Sequence, residues 1–141
     1  MIEPACCHAG GFFIAAGLSA PARPAVEAFS QYPLQWIEEP ICADDPPEHW
    51  AELAMLSRVP IAGGENIMGL AAFDAAITAG HLGVIQPDIC KWGGLSGCLP
   101  VAQRAVKAGR RYCPHWLNSG IGLLAAAHLL AAAGGDGFLE H

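Results

Sequence analysis

Residues 82 to 94 read LGVIQPDICKWGG. This stretch opens on a short apolar run and closes on Asp88, Lys91 and a Gly-Gly pair, after which residues 95 to 108 form a segment of helical length. A strand-sized run, a polar exit and a helix-sized segment make one βα unit. The same grammar extends both ways along the chain. Upstream lie LQWIEEP (34 to 40) and VPIAGGEN (59 to 66); downstream lie RYCPHW (111 to 116) and GFLE (137 to 140). Alanine-rich segments of helical length occupy 22 to 31, 46 to 57, 70 to 79 and 121 to 133. Ile37, Ile61 and Ile85 follow one another at steps of 24, and Ile85, Tyr112 and Leu139 at steps of 27.

Punctuation supports this division. Asp45 precedes Pro46 and Pro47 as an expected N-cap, and Gly80, Gly109 and Gly134 follow apolar runs as expected C-terminal glycines. Repeated βα units imply a parallel sheet covered by helices, either an open doubly wound sheet or part of a barrel. Periodicity does not choose between the two.

Composition narrows the function classes. With 53% hydrophobic and 14% charged residues, the 141-residue chain has ample apolar surface for a core. Seven Lys and Arg against 13 Asp and Glu give a net charge of -6, which argues against a phosphate-binding surface and so against nucleic acid. The six cysteines show no C-x-x-C spacing, so a reducing, cytoplasmic setting is expected rather than a disulfide framework or zinc ribbon. No Lys or Arg precedes the apolar run at 10 to 20, and the run at 121 to 133 is too short to span a bilayer, so neither a signal peptide nor a membrane segment is expected.

The polar residues choose the barrel. Parallel barrels carry their functional groups at the C-terminal ends of the strands. Here the strand ends carry Glu38 and Glu39, then Glu65 and Asn66, then Asp88 and Lys91, then His115, then Glu140. Carboxylates on adjacent strand ends form an oxygen-only set suited to Mg²⁺. An imidazole beside a carboxylate is oriented and made more basic, as a general base requires.

The motifs WIEEP (36 to 40), AGGEN (62 to 66), IQPDICKWGG (85 to 94), CPHW (113 to 116) and FLEH (138 to 141), in this order, resemble the enolase superfamily. More narrowly they resemble the mandelate racemase-like branch of the mandelate racemase and muconate lactonizing enzyme family. The resemblance implies an α/β fold, the C-terminal strands and helices of a (β/α) TIM-type barrel, over residues 21 to 141. It implies Glu38 and Glu65 as Mg²⁺ ligands, Asp88 and His115 as the base dyad, and Glu140 as a hydrogen-bonding partner of a substrate oxygen. The implied reaction is abstraction of a proton alpha to a carboxylate with Mg²⁺ stabilising the enediolate, in an acid-sugar dehydratase or a racemase.

Departures from the pattern set the alternatives. The Asp that supplies the family's third metal ligand, one repeat before Trp36, has no counterpart in the apolar stretch GGFFIAAGL at 10 to 18. Neither the family's capping domain nor a full barrel of about 250 residues fits in this length. Residues 1 to 20 remain unassigned, and the chain reads as a barrel fragment. The rival to an active enzyme is a catalytically silent fragment, with self-association or a complementing barrel fragment covering its exposed apolar surface. The expected small-molecule partner is a carboxylate or acid sugar. Residue by residue, plainer roles stand beside these: Glu38 as a solvated turn acid, Glu65 or Asp88 as helix or turn caps, His115 as a core histidine on a backbone carbonyl, and Cys113 as a buried thiol. Lys91 and the glycines after it are expected to shape the exit from their strand.

Overall fold

A computed structural model of the chain describes residues 12 to 13, 22 to 116 and 120 to 139. The contacts divide it into two compact units, Met1–Ile61 and Ala62–His141.

In the first unit the described elements are β1 (Phe12–Phe13), α1 (Ala22–Phe29), β2 (Ile37–Glu38) and α2 (Pro47–Leu56). β1 and β2 are parallel, with Phe12 opposite Ile37 and Phe13 opposite Glu38. Ile37 also donates its N–H to the Pro60 carbonyl at 2.9 Å. Val26 of α1 and Trp50 and Leu53 of α2 are buried, and Arg23 of α1 pairs with Glu52 of α2 at the surface. The helix starts at Pro47, so the N-cap is Pro46, which has no side-chain acceptor to offer. Asp45 is therefore one residue too early to cap it, contrary to expectation; its Oδ2 accepts the Cys42 N–H at 3.0 Å instead.

The second unit takes in the end of β3 (Ile61–Gly63), then α3 (Leu70–Ala79), β4 (Val84–Ile85), α4 (Gly94–Lys107), β5 (Arg111–Tyr112) and α5 (Gly120–Ala133). The pairing is parallel throughout: Ala62 with Val84 and Gly63 with Ile85, then Val84 with Arg111 and Ile85 with Tyr112. Parallel strands joined by helical crossovers are the βα arrangement the sequence predicts. The step from Ile85 to Tyr112 is the true register, and one further bridge, Asp88 to His115, continues it. The step from Ile61 to Ile85 is not: Gly63 lies opposite Ile85. A shift of two residues preserves which face each side chain occupies, so the apolar pattern is blind to it.

The segment at 137 to 140 departs from expectation. Residues 137 to 139 form no strand, and residue 140 lies outside the described residues. Gly134 and Gly135 both take positive φ, and the Phe138 N–H goes to Cys113 Sγ at 3.3 Å rather than to a ladder carbonyl. With a sulfur as its acceptor, the segment runs past β5 without pairing.

The core of this unit gathers Ile89, Cys98, Ala102, Tyr112, Trp116, Ala126 and Leu129 from the β4 exit, α4, the end of β5 and α5. Trp92 stacks at a tilt on Phe73, with ring centroids 5.6 Å apart. These contacts anchor the strand exits, where the polar residues stand. No helix among the described residues is long and apolar enough to cross a membrane.

Candidate active site

Glu65, Asp88, Lys91 and His115 come together beyond the ends of β3, β4 and β5. Local backbone chemistry sets their positions. Gly64 takes φ 133°, and a Cβ there would stand 3.1 Å from the Gln86 nitrogen, so only glycine lets the chain turn this close to β4 before Glu65. Pro87 accepts the His115 N–H on its carbonyl at 3.3 Å, which extends the β4–β5 ladder to the level of Asp88.

Asp88 and His115 are 2% and 3% exposed. Asp88 Oδ2 lies 2.9 Å from His115 Nδ1. Its other oxygen, Oδ1, accepts the N–H groups of Cys90 at 2.7 Å and Lys91 at 3.1 Å. One carboxylate thus caps the turn after β4 and orients the ring. An ionised carboxylate only accepts, so the contact with Asp88 favours the hydrogen on Nδ1 and leaves Nε2 facing Glu65. Nε2 lies 2.7 Å from Glu65 Oε2 but outside hydrogen-bonding alignment.

Glu65 is shared as well. Its Oε1 takes the Lys91 ammonium at 2.9 Å and the Asn66 amide N–H at 3.0 Å. Lys91 Nζ reaches the Asn66 carbonyl oxygen at 3.2 Å. A carboxylate and an amide oxygen therefore already converge on a positive charge. That donor set fits a hard cation such as Mg²⁺, to which Glu65 would contribute an oxygen. Among the described residues no group of three or more His, Cys, Asp or Glu is arranged to hold a metal.

In the first unit, Glu38 is buried and its Oε2 accepts the Trp36 indole N–H at 3.0 Å, so it is not a solvated turn acid. Glu39 is also buried and adopts φ 36°, the positive-φ non-glycine among the described residues. Such strain persists where surrounding structure enforces it and clusters at functional sites. Glu140 lies outside the described residues.

Sequence reasoning reached Glu65, Asp88 and His115 but gave Lys91 only a shaping role. Its place three residues after Asp88, on the turn that Asp88 caps, is the signal for its reach toward Glu65. The Trp36–Glu38 bond was likewise missed, and its signal is the spacing of two in an extended stretch, which puts both side chains on one face. Cys113 is a buried thiol, as expected, and burial together with the nearby Asp88 charge pushes the Cys98 thiol up to about 11.

Comparison with known proteins bears on this geometry. The family described as Enolase C-terminal domain-like matches residues 15–141. D-galactonate dehydratase of Ralstonia nicotianae is 34% identical over 113 residues, covering 79% of this chain and 29% of that protein. D-galactarolactone cycloisomerase of Agrobacterium fabrum is 32% identical over 99 residues, covering 70% of this chain and 26% of that protein. The chain thus spans less than a third of the length of either relative. Among solved structures, a mandelate racemase/muconate lactonizing enzyme from Bordetella bronchiseptica superposes with a TM-score of 0.81 at 50% identity, covering 93% of this chain and 38% of that one. The 3,6-anhydro-D-galactonate cycloisomerase of Zobellia galactanivorans gives 0.76 at 27% identity, covering 85% and 34%. The motifs, the parallel βα fold and these matches agree: the chain belongs to the mandelate racemase and muconate lactonizing enzyme family of the enolase superfamily and carries its enolase C-terminal domain-like fold.

Proposed function

We propose that this chain carries the proton-transfer machinery of an acid-sugar dehydratase. The observation that supports the reading most is the buried His115–Asp88 pair on the exits of neighbouring parallel strands. Asp88 holds the ring and stabilises its cationic form; His115 Nε2 removes the proton alpha to the substrate carboxylate. The electron pair of that C–H bond becomes a C=C bond as the neighbouring hydroxyl departs. Protonation of the leaving hydroxyl by the same imidazole releases water, and the enol tautomerises to a 2-keto-3-deoxy acid. Racemisation shares the first step and differs in where the proton returns.

Mg²⁺ is the proposed cofactor. When bound, it supplies positive charge for the negative charge that develops on the substrate carboxylate. Glu65 and Glu38 are each proposed as oxygen ligands, and Glu140 as a hydrogen-bonding partner of a substrate oxygen. The substrate is a small acid sugar, in keeping with the names of the relatives. A second copy or a complementing barrel fragment is the proposed protein partner, and the free thiols Cys42, Cys90 and Cys98 suit a cytoplasmic setting.

A second reading, a catalytically silent fragment, draws on the lack of a three-ligand group among the described residues. Incubating the full chain with MgCl₂ and a panel of acid sugars that includes D-galactonate separates the two. Formation of a 2-keto-3-deoxy acid that His115→Asn abolishes supports the dehydratase. No product from any acid sugar, with a cooperatively folded chain, supports the silent fragment.

A further inference from the structure

We propose that Lys91 is a resident placeholder cation for Glu65, a positioning residue that competes with a divalent ion for the same carboxylate. This rests on the reading of Glu65 as a metal ligand. Three observations carry it. The Lys91 ammonium lies within bonding distance of both Glu65 Oε1, at 2.9 Å, and Asn66 Oδ1, at 3.2 Å, the oxygens a hard cation would use. The other Glu65 oxygen is 2.7 Å from the buried His115 Nε2, so the ammonium fixes the carboxylate against the proton-transferring atom. Finally, the Lys91 backbone is tied to Asp88 twice, its N–H lying 3.1 Å from Oδ1 and 3.2 Å from the main-chain oxygen.

The aspartate that orients His115 therefore also sets the reach of Lys91. With the ammonium in place, Glu65 has its charge offset and its rotamer held without a metal. The Lys91 side chain is 34% exposed and has a flexible four-carbon stem, so its head can leave for solvent while its backbone stays put. A divalent ion and an ammonium repel each other, and here both would draw on Glu65 Oε1 and Asn66 Oδ1, whose remaining lone pairs are already partly taken. Binding of one displaces the other.

Calorimetric titration of MgCl₂ into the full chain tests this at fixed ionic strength, with Lys91→Met, Lys91→Arg and Glu65→Gln alongside the unaltered chain. Lys91→Met should tighten Mg²⁺ binding about fivefold, the order expected for releasing a partly exposed ion pair. Lys91→Arg should restore the original affinity. Thermal melts supply a second readout: Lys91→Met should lower the midpoint in EDTA but not in saturating Mg²⁺, whereas a merely structural lysine would lower both equally. Binding that Glu65→Gln abolishes but Lys91→Met leaves unchanged or weakens overturns the placeholder and leaves the metal reading intact. Absence of binding in every form, or binding indifferent to Glu65→Gln, overturns the metal reading and the placeholder with it.

Discussion

Asp88 holds His115 with one carboxylate oxygen and its own turn with the other: Oδ2 is 2.9 Å from His115 Nδ1, and Oδ1 takes the N–H groups of Cys90 and Lys91. The geometry of the imidazole and the geometry of the strand exit are therefore one structure. A change at Asp88 reaches both.

Asp88→Asn should shift the His115 tautomer. The amide can turn its NH₂ toward Nδ1, placing the ring hydrogen on Nε2, the atom proposed to accept the substrate proton. Nitrogen-15 spectra of the imidazole report the tautomer directly, and kcat should fall by about 10² or more, the contribution of a positioned general base.

Trp36→Phe should destabilise the first unit. The indole N–H is one of the buried partners of Glu38, and phenylalanine fills much of the ring volume without replacing the donor. Removing one partner of a buried carboxylate costs about 1–3 kcal/mol, read as a lower urea midpoint at unchanged slope.

Gly122→Ala sets two effects against each other. Alanine gains up to about 1 kcal/mol of helix propensity over glycine in α5. A Cβ at this position, however, would overlap the Trp116 ring, and crowding of a packed core costs about 1–3 kcal/mol. Trp116 is 3% exposed and backed by the core, so overpacking should win and the melting midpoint should fall.

Stability should decline in alkali. Burial raises the Cys98 thiol from 9.0 to about 11 and moves the Tyr112 phenol upward from 10.0. Both groups keep their protons in the folded chain after the unfolded chain has lost them, so stability is intact below pH 9 and falls as pH rises toward 11. Urea midpoints at pH 8, 9, 10 and 11 should decrease monotonically. A C98A variant should show a shallower decline.

The order from α1 to α5 was legible because helix-length segments alternate with short runs and each boundary carries a glycine, a proline or a charge, whereas β1 at Phe12–Phe13 lies in the stretch left unassigned. Helix α3 was legible to the residue, from Leu70 to the left-handed Gly80. The register between β3 and β4 was not, since a slip by one pleat period leaves the apolar pattern unchanged. The stretch at 137 to 139 has strand-like composition, yet the Phe138 N–H finds Cys113 Sγ, a tertiary contact no local pattern encodes. Within the site, Asp88 and His115 were legible from their positions at strand ends. The Lys91–Glu65 pair joins residues 26 apart and depends on how a flexible side chain resolves the local charge.

His115, held by Asp88, is proposed to remove the proton alpha to the carboxylate of an acid sugar. The most direct measurement is proton NMR of D-galactonate and related acid sugars in D₂O, with MgCl₂ and the full chain. The C2 proton signal should disappear at a rate proportional to protein concentration, and should persist with His115→Asn. Retention of the C2 proton in every acid sugar by a cooperatively folded chain, or exchange that persists in His115→Asn, would contradict it.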